Sequence, residues 1–410
     1  MVLNTKFWLK ISLHNLCIVA AIGVLMRYKI GFEFPYFDQK NLQHSHSHFA
    51  FAGWISHTLM VLMVYYLQTK IASFQGNKYK NIIIANLICS YGMLIFFIIQ
   101  GYGLISIVFS TASIFVSYVF AYHFIKDLKL LDSQFLSKNW FKAGLFFNVI
   151  SSFGTFYLGY MMVSKNFVQD FYLSSIYYYL HFQYNGWFFF ACMGLAFGFL
   201  NLRKSDHSFY ETSFKLFAIA CVPAYFLSTI WLELPLWLYV ITVIAAMTQV
   251  FSWFKFLVIL LKTRKNALEN YAPLLRYLLL FVSFALSIKL LLQLGSTVPY
   301  ISHWAFEFRP IVIAYLHLVL LAIFTLFIFF YIYANHLIFI NRKIKYGILL
   351  FSIGVVLNEI VLAIQGIASI NYIVIPYANE LLFAIATILF LGIGFIFYFS
   401  IKKRKNKPVL

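Results

Sequence analysis

The sequence predicts an all-α, polytopic membrane protein with about twelve transmembrane helices in one bundle, and three observations predict it. Of 410 residues, 63% are apolar and only 10% are charged, whereas roughly a quarter of a soluble domain is charged. The apolar residues recur in runs of about 20, each enough to cross a hydrocarbon core of about 30 Å. The basic residues alternate in abundance from one loop to the next, as they do when successive loops lie on opposite sides of a membrane.

Apolar runs between polar breaks give the spans in order. The first, 7–26, resembles a secretion signal superficially, but it lacks a small-x-small cleavage site and is too long, so it is read as a retained helix. The second, 49–68, follows a histidine run and stops before Lys70. The third and fourth, 81–100 and 103–125, flank Gly101-Tyr-Gly103, and the fourth ends at Lys126. The fifth, 142–163, lies between Lys142 and Lys165, and the sixth, 177–200, stops before Arg203. The seventh, 213–232, contains Pro223, and the eighth, 236–261, ends at Lys262. The last four are 273–294, 310–333, 345–366 and 379–401. No soluble domain or long linker interrupts residues 1–401, and residues 402–410 form a basic tail.

With the N-terminus cytoplasmic, 24 of the 31 Lys and Arg fall inside and five, Arg27, Lys29, Lys40, Lys165 and Arg309, fall outside; Lys255 and Lys289 lie within spans. The split places both termini in the cytoplasm. It also accounts for the net charge of +19 by topology, leaving membrane lipid as the expected contact and nucleic acid without support. Cys17, Cys89, Cys192 and Cys221 are scattered through apolar runs with no Cys-x-x-Cys pair, and read as packing residues.

Polar groups within spans are costly and mark functional surfaces. Histidine stands out. His44, His46, His48 and His57 lie at or in the second span, His181 opens the sixth, His303 precedes the tenth and His317 lies within it. Except for His57 and His317, these sit at the outer surface; those two lie roughly 10 to 13 Å below it. His14, His123, His207 and His336 fall outside the cluster. On a helix His44 and His48 share a face while His46 points away, so the three serve one metal only if the helix begins after His46. Two helices that each present an imidazole among aromatic side chains suit an axially bis-His haem, with His317 pairing with His48 or His57. At the sixth span, His181 and Asn185 share a face beside Gln183, which suits a metal site, a ligand-polarising pocket or a capped helix start. Glu359, with Asn358, and Lys289 are expected to pair across helices or to form a proton path.

Twelve spans with histidines at the second, sixth and tenth helices, together with His46-x-His48 followed by Phe-Ala-Phe-Ala-Gly53-Trp54, resemble the catalytic subunit of the haem-copper oxidase and nitric oxide reductase superfamily. The NnrS-like haem-copper membrane proteins are a near alternative. The resemblance implies a bacterial inner-membrane protein with a low-spin haem b ligated by His48 or His46 and by His317. It implies a copper or non-haem iron near His181, with His44 and His303 as further candidates. The segment Ser213 to Leu232 lacks the family's adjacent histidines, and Tyr315 stands where the family has the high-spin haem ligand. A full proton-pumping oxidase is therefore not expected. The implied role is electron transfer, or binding or reduction of nitric oxide or oxygen. It brings a quinol or cytochrome donor and an accessory subunit as partners. The rival class is a cofactor-free transporter or channel whose histidines line an outer vestibule; broken helices at midplane, a transporter's mark, are few, Pro223 apart.

Overall fold

The computed structural model describes residues 3–72, 74–302 and 308–402, with the backbone alone at 267 and 268. Helix α1 is Thr5–Gly31, α2 Gln39–Lys70, α3 Asn77–Gln100, α4 Leu104–Leu128 and α5 Ser137–Ser164. Helix α6 runs over 169–199, and α7 is Ser208–Cys221 continued by Pro223–Thr229 after a 43° bend. Helix α8 is Leu236–Glu269, α9 Pro273–Gly295, α10 Arg309–Ala334, α11 Arg342–Ile370 and α12 Ala378–Ile401. Among the described residues ten helices are long and apolar enough to cross a membrane, or eleven if the bent α7 counts as one. Helix α6 is long but carries Gln183 and Asn185 amid its apolar run, which keeps it outside that set. The bend in α7 falls where Pro223 removes a backbone donor and its ring crowds the preceding turn.

Helix α2 begins ten residues before its apolar run. The Asp38 carboxylate accepts from the backbone N of Asn41 at 2.8 Å, capping a first turn of polar residues. The histidine run therefore lies inside the helix and not ahead of it.

Neighbours in sequence pack side by side, and α1 also lies against α12, so the helices close a ring. Helices α2, α6 and α10 meet on its axis. The indole N–H of Trp54 in α2 donates to Thr325 Oγ1 in α10 at 3.1 Å, and that of Trp187 in α6 donates to Ser56 Oγ in α2 at 3.1 Å. Phe188 of α6 completes the set edge-on to Phe324 of α10 at 5.6 Å. Three bays surround the axis: α3 to α5 fill the one between α2 and α6, α7 to α9 the next, and α11, α12 and α1 the third.

Each axial helix contains a π-helical stretch, Ala50–Ser56, Phe182–Phe188 and Leu318–Thr325. Such segments are rare and recur at functional sites. Each begins one or two residues after a histidine: His48, His181 and His317. The carbonyls that the wider turn loosens find side-chain donors. Asn86 Nδ2 reaches Ala52 O at 3.2 Å, Asn15 Nδ2 reaches Gly53 O at 2.6 Å and Thr325 Oγ1 reaches Leu320 O at 2.8 Å.

Burial separates axis from rim. The most apolar stretch of α2 is 83% buried, but that of α4 only 17%. Phe115 and Val119 of α4 and Ile244, Phe251 and Val258 of α8 stand exposed on the outside of the ring. A soluble protein does not expose apolar surface on this scale, whereas lipid covers it without cost.

Candidate cofactor site

The end of the bundle where α2 and α10 begin carries the histidines. His44 and His48 sit on one face of α2, against α3 and the turn after it. The His48 ring stacks on Phe97 with centroids 4.4 Å apart, and its Nε2 lies 3.1 Å from the Tyr102 hydroxyl. His44 meets the Tyr102 ring edge-on at 4.5 Å. His46 points the other way, into the third bay, where its Cε1 is 3.4 Å from the Cβ position at Gly23 of α1. A larger residue at 23 would crowd the imidazole.

His317 of α10 lies within electrostatic reach of His46, and Arg27 of α1 acts on both. Counted from the helix starts at Gln39 and Arg309, the two histidines lie about 10 and 12 Å down their helices, so they share a level. Nδ1 of His46 and Nδ1 of His317 are both buried without a hydrogen-bond partner. Above them Arg27 and Arg309 are close enough to act on each other, and Arg309 donates to Gln43 Oε1 at 2.7 Å. Two guanidiniums with no carboxylate in contact among the described residues lie near two imidazoles, each of which bonds a backbone group, at Val19 and at Ile313, and keeps Nδ1 free.

Packing around this group is loose. From Arg309 to His317, no residue of α10 is fully buried, although the helix is axial. From Leu318 to Tyr333 nearly every residue is buried. The histidine end of the third bay is thus loosely packed, and the opposite end is solid.

His57 lies elsewhere. It is wholly buried, both ring nitrogens lack partners and its ring meets Trp8 edge-on at 6.1 Å. Eleven residues beyond His46, it shares that face of α2 but lies about 16 Å deeper. His48 lies at much the same depth as His317 but faces Phe97 and Tyr102, and His57 lies deeper, so His46 is the α2 histidine that combines the level of His317 with the face toward it.

His181 is engaged through both nitrogens. Asn185 Nδ2 is 3.1 Å from Nδ1, and Nε2 is 2.8 Å from Cys221 O. The amide can only donate and the carbonyl only accept, so Nδ1 is the acceptor and Nε2 carries the proton. Among the described residues no three His, Cys, Asp or Glu side chains gather as a metal site; His303 lies outside the described residues. Tyr315 pairs through its hydroxyl with Tyr184 of α6, their rings 6.1 Å apart.

Glu359 and Lys289 do not pair. Glu359 takes its hydrogen bond from Asn358 at 3.2 Å on α11, while Lys289 on α9 faces the second bay, near His181 and Cys221. The ring puts α9 and α11 on opposite sides of α10, so the expected ion pair is blocked by the axial helix itself. Gln183 donates to Asn148 Oδ1 at 2.9 Å and Ser151 Oγ at 2.7 Å, on the wall of a polar cavity of about 50 Å³ in the first bay.

Arg27 and Arg309 went unrecognised as site residues in the sequence. Their signal was their rarity: they are two of only five basic residues on the sparse side of the topology. No family model matches the chain, and no curated protein matches it in sequence.

Proposed function

We propose that this chain is a multi-pass haem protein of a bacterial inner membrane, both termini cytoplasmic, that holds one haem b at the histidine end of the third bay. His46 and His317 would be its axial ligands, and Arg27 and Arg309 would receive its propionates. The observation that carries this reading is the partly exposed stretch of an otherwise buried axial helix, with two imidazoles at one level, each with a free Nδ1, near two guanidiniums that no carboxylate among the described residues meets. A bis-His haem supplies one-electron transfer. The protein's own part follows from its residues: the imidazoles of His46 and His317 would hold the group, Arg27 and Arg309 would meet its carboxylates, and the solid half of the bundle would keep water away. With the histidine end outward, a quinol or an outer-face cytochrome is the donor, and electron transfer or handling of nitric oxide or oxygen is the role.

The test is the visible spectrum of the detergent-purified protein from haem-replete cells, oxidised and reduced, with iron measured per chain. A sharp reduced α band and about one iron, both lost in H46A and in H317A, are the expected result. A colourless protein without iron would overturn the reading. It would favour a second one that the same loose packing supports: a transporter whose histidine-lined vestibule opens at this end.

A further inference from the structure

The second bay holds a lysine that the haem reading leaves unused. Lys289 is 6% exposed at the middle of α9, and among the described residues it makes no hydrogen bond or ion pair to any protein group. Desolvating an ammonium is costly unless something of opposite charge or a strong acceptor meets it. The titratable groups around it are His181 of α6 and Cys221 of α7, and neither is a carboxylate.

What it does face is a cavity. Lys289 lines a space of about 10 Å³ together with Asn185 of α6, Gln249 of α8 and the rings of Phe189, Phe190 and Phe217. That is room for one occupant about the size of a water molecule. The side-chain amide of Asn185 donates to His181 Nδ1, and its backbone carbonyl accepts from Cys221 Sγ at 3.8 Å. The second amide proton of Asn185 remains available, and Gln249 offers two more. A cation and two amides that can turn N–H groups inward, with no carboxylate on the wall, suit an anion.

We propose that Lys289, Asn185 and Gln249 bind a small monovalent anion of halide size inside the second bay. The anion completes the charge of Lys289 and ties α6, α8 and α9 together around it. The site lies in a different bay from the haem site and is read without the haem, so either proposal stands or falls alone.

The test is thermal unfolding of the full chain in detergent, at constant ionic strength, with chloride or bromide replacing gluconate. The expected result is a saturable rise in the unfolding midpoint with halide, absent in K289M and weakened at least tenfold in apparent affinity in Q249L. Halide acting at Arg27 and Arg309 instead would leave K289M responding like the wild type, and that result overturns the proposal. So does a wild-type midpoint indifferent to the anion. Where K289M does not accumulate, Q249L and N185L keep the lysine in place, and an unchanged affinity in both overturns it equally.

Discussion

His46 and His48 stand two positions apart, yet their surroundings are opposite. His48 is already occupied, stacked on Phe97 and hydrogen-bonded to Tyr102, while His46 has a buried Nδ1 without a partner. H48A should therefore keep the haem spectrum and lose stability by about 1 kcal/mol, the worth of one hydrogen bond, seen as a lower thermal midpoint. H46A should bleach the spectrum with little change in the apoprotein midpoint. The reverse pattern would assign the axial role to His48. Arg27 allows a second check. A positive charge near the iron favours the reduced form, so R27A should lower the midpoint potential. The shift should be on the order of 1 kcal/mol, or a few tens of millivolts for one electron, in a potentiometric titration. The histidines were legible in the sequence because imidazoles in apolar runs are conspicuous. Their ranking was not, because it depends on which side of α2 meets α1 and which meets α3.

At the scale of elements, the apolar runs coincide with helices α1 to α12, ten or eleven of which are long and apolar enough to span among the described residues, but they do not show how α2 starts or how the axial helices are wound. The histidine run reads as a polar approach to a span, and only the Asp38 cap draws it into the helix. D38A should fray the first turn at a cost of about 1 kcal/mol, and should disturb haem retention through His46 rather than through any contact of its own. The π-helical stretches have no sequence signature. In α2 partners from other helices satisfy loosened carbonyls, and in α10 Thr325 of the same helix does so. Asn15 is the clearest of these: its amide donates to Gly53 O at 2.6 Å, and its own oxygen accepts from the Tyr91 hydroxyl at 2.7 Å. N15L leaves Gly53 O buried and unpaired, while the Tyr91 hydroxyl keeps His14 Nδ1 at 3.3 Å, so the thermal midpoint should fall by the equivalent of about 1 to 2 kcal/mol. An unchanged midpoint would mean that the π turn of α2 stands without this support.

The whole molecule combines a closed ring of helices with an axis that is solid at one end and loosely packed at the other, and its charges follow the same polarity. All five ion pairs among the described residues, such as Lys78–Asp127 at 2.8 Å and Arg264–Asp206 at 2.6 Å, lie at the solid end, where 24 of the 31 basic residues were assigned. The histidine end keeps only a few cations, and two of them converge on the histidines. A protein that served the cytoplasm through this end would invert the rule that basic loops stay inside, so the histidine end should face outward. Cysteine labelling tests this directly, because the four natural cysteines are buried or half-buried in the bundle. K165C, in the turn before α6, should react with a membrane-impermeant maleimide in intact spheroplasts. K265C, near the far end of α8, should react only after permeabilisation. Labelling in the opposite order would turn the histidine end toward the cytoplasm, and a quinol or outer-face cytochrome would then have to give way to a cytoplasmic donor even if the haem itself is present.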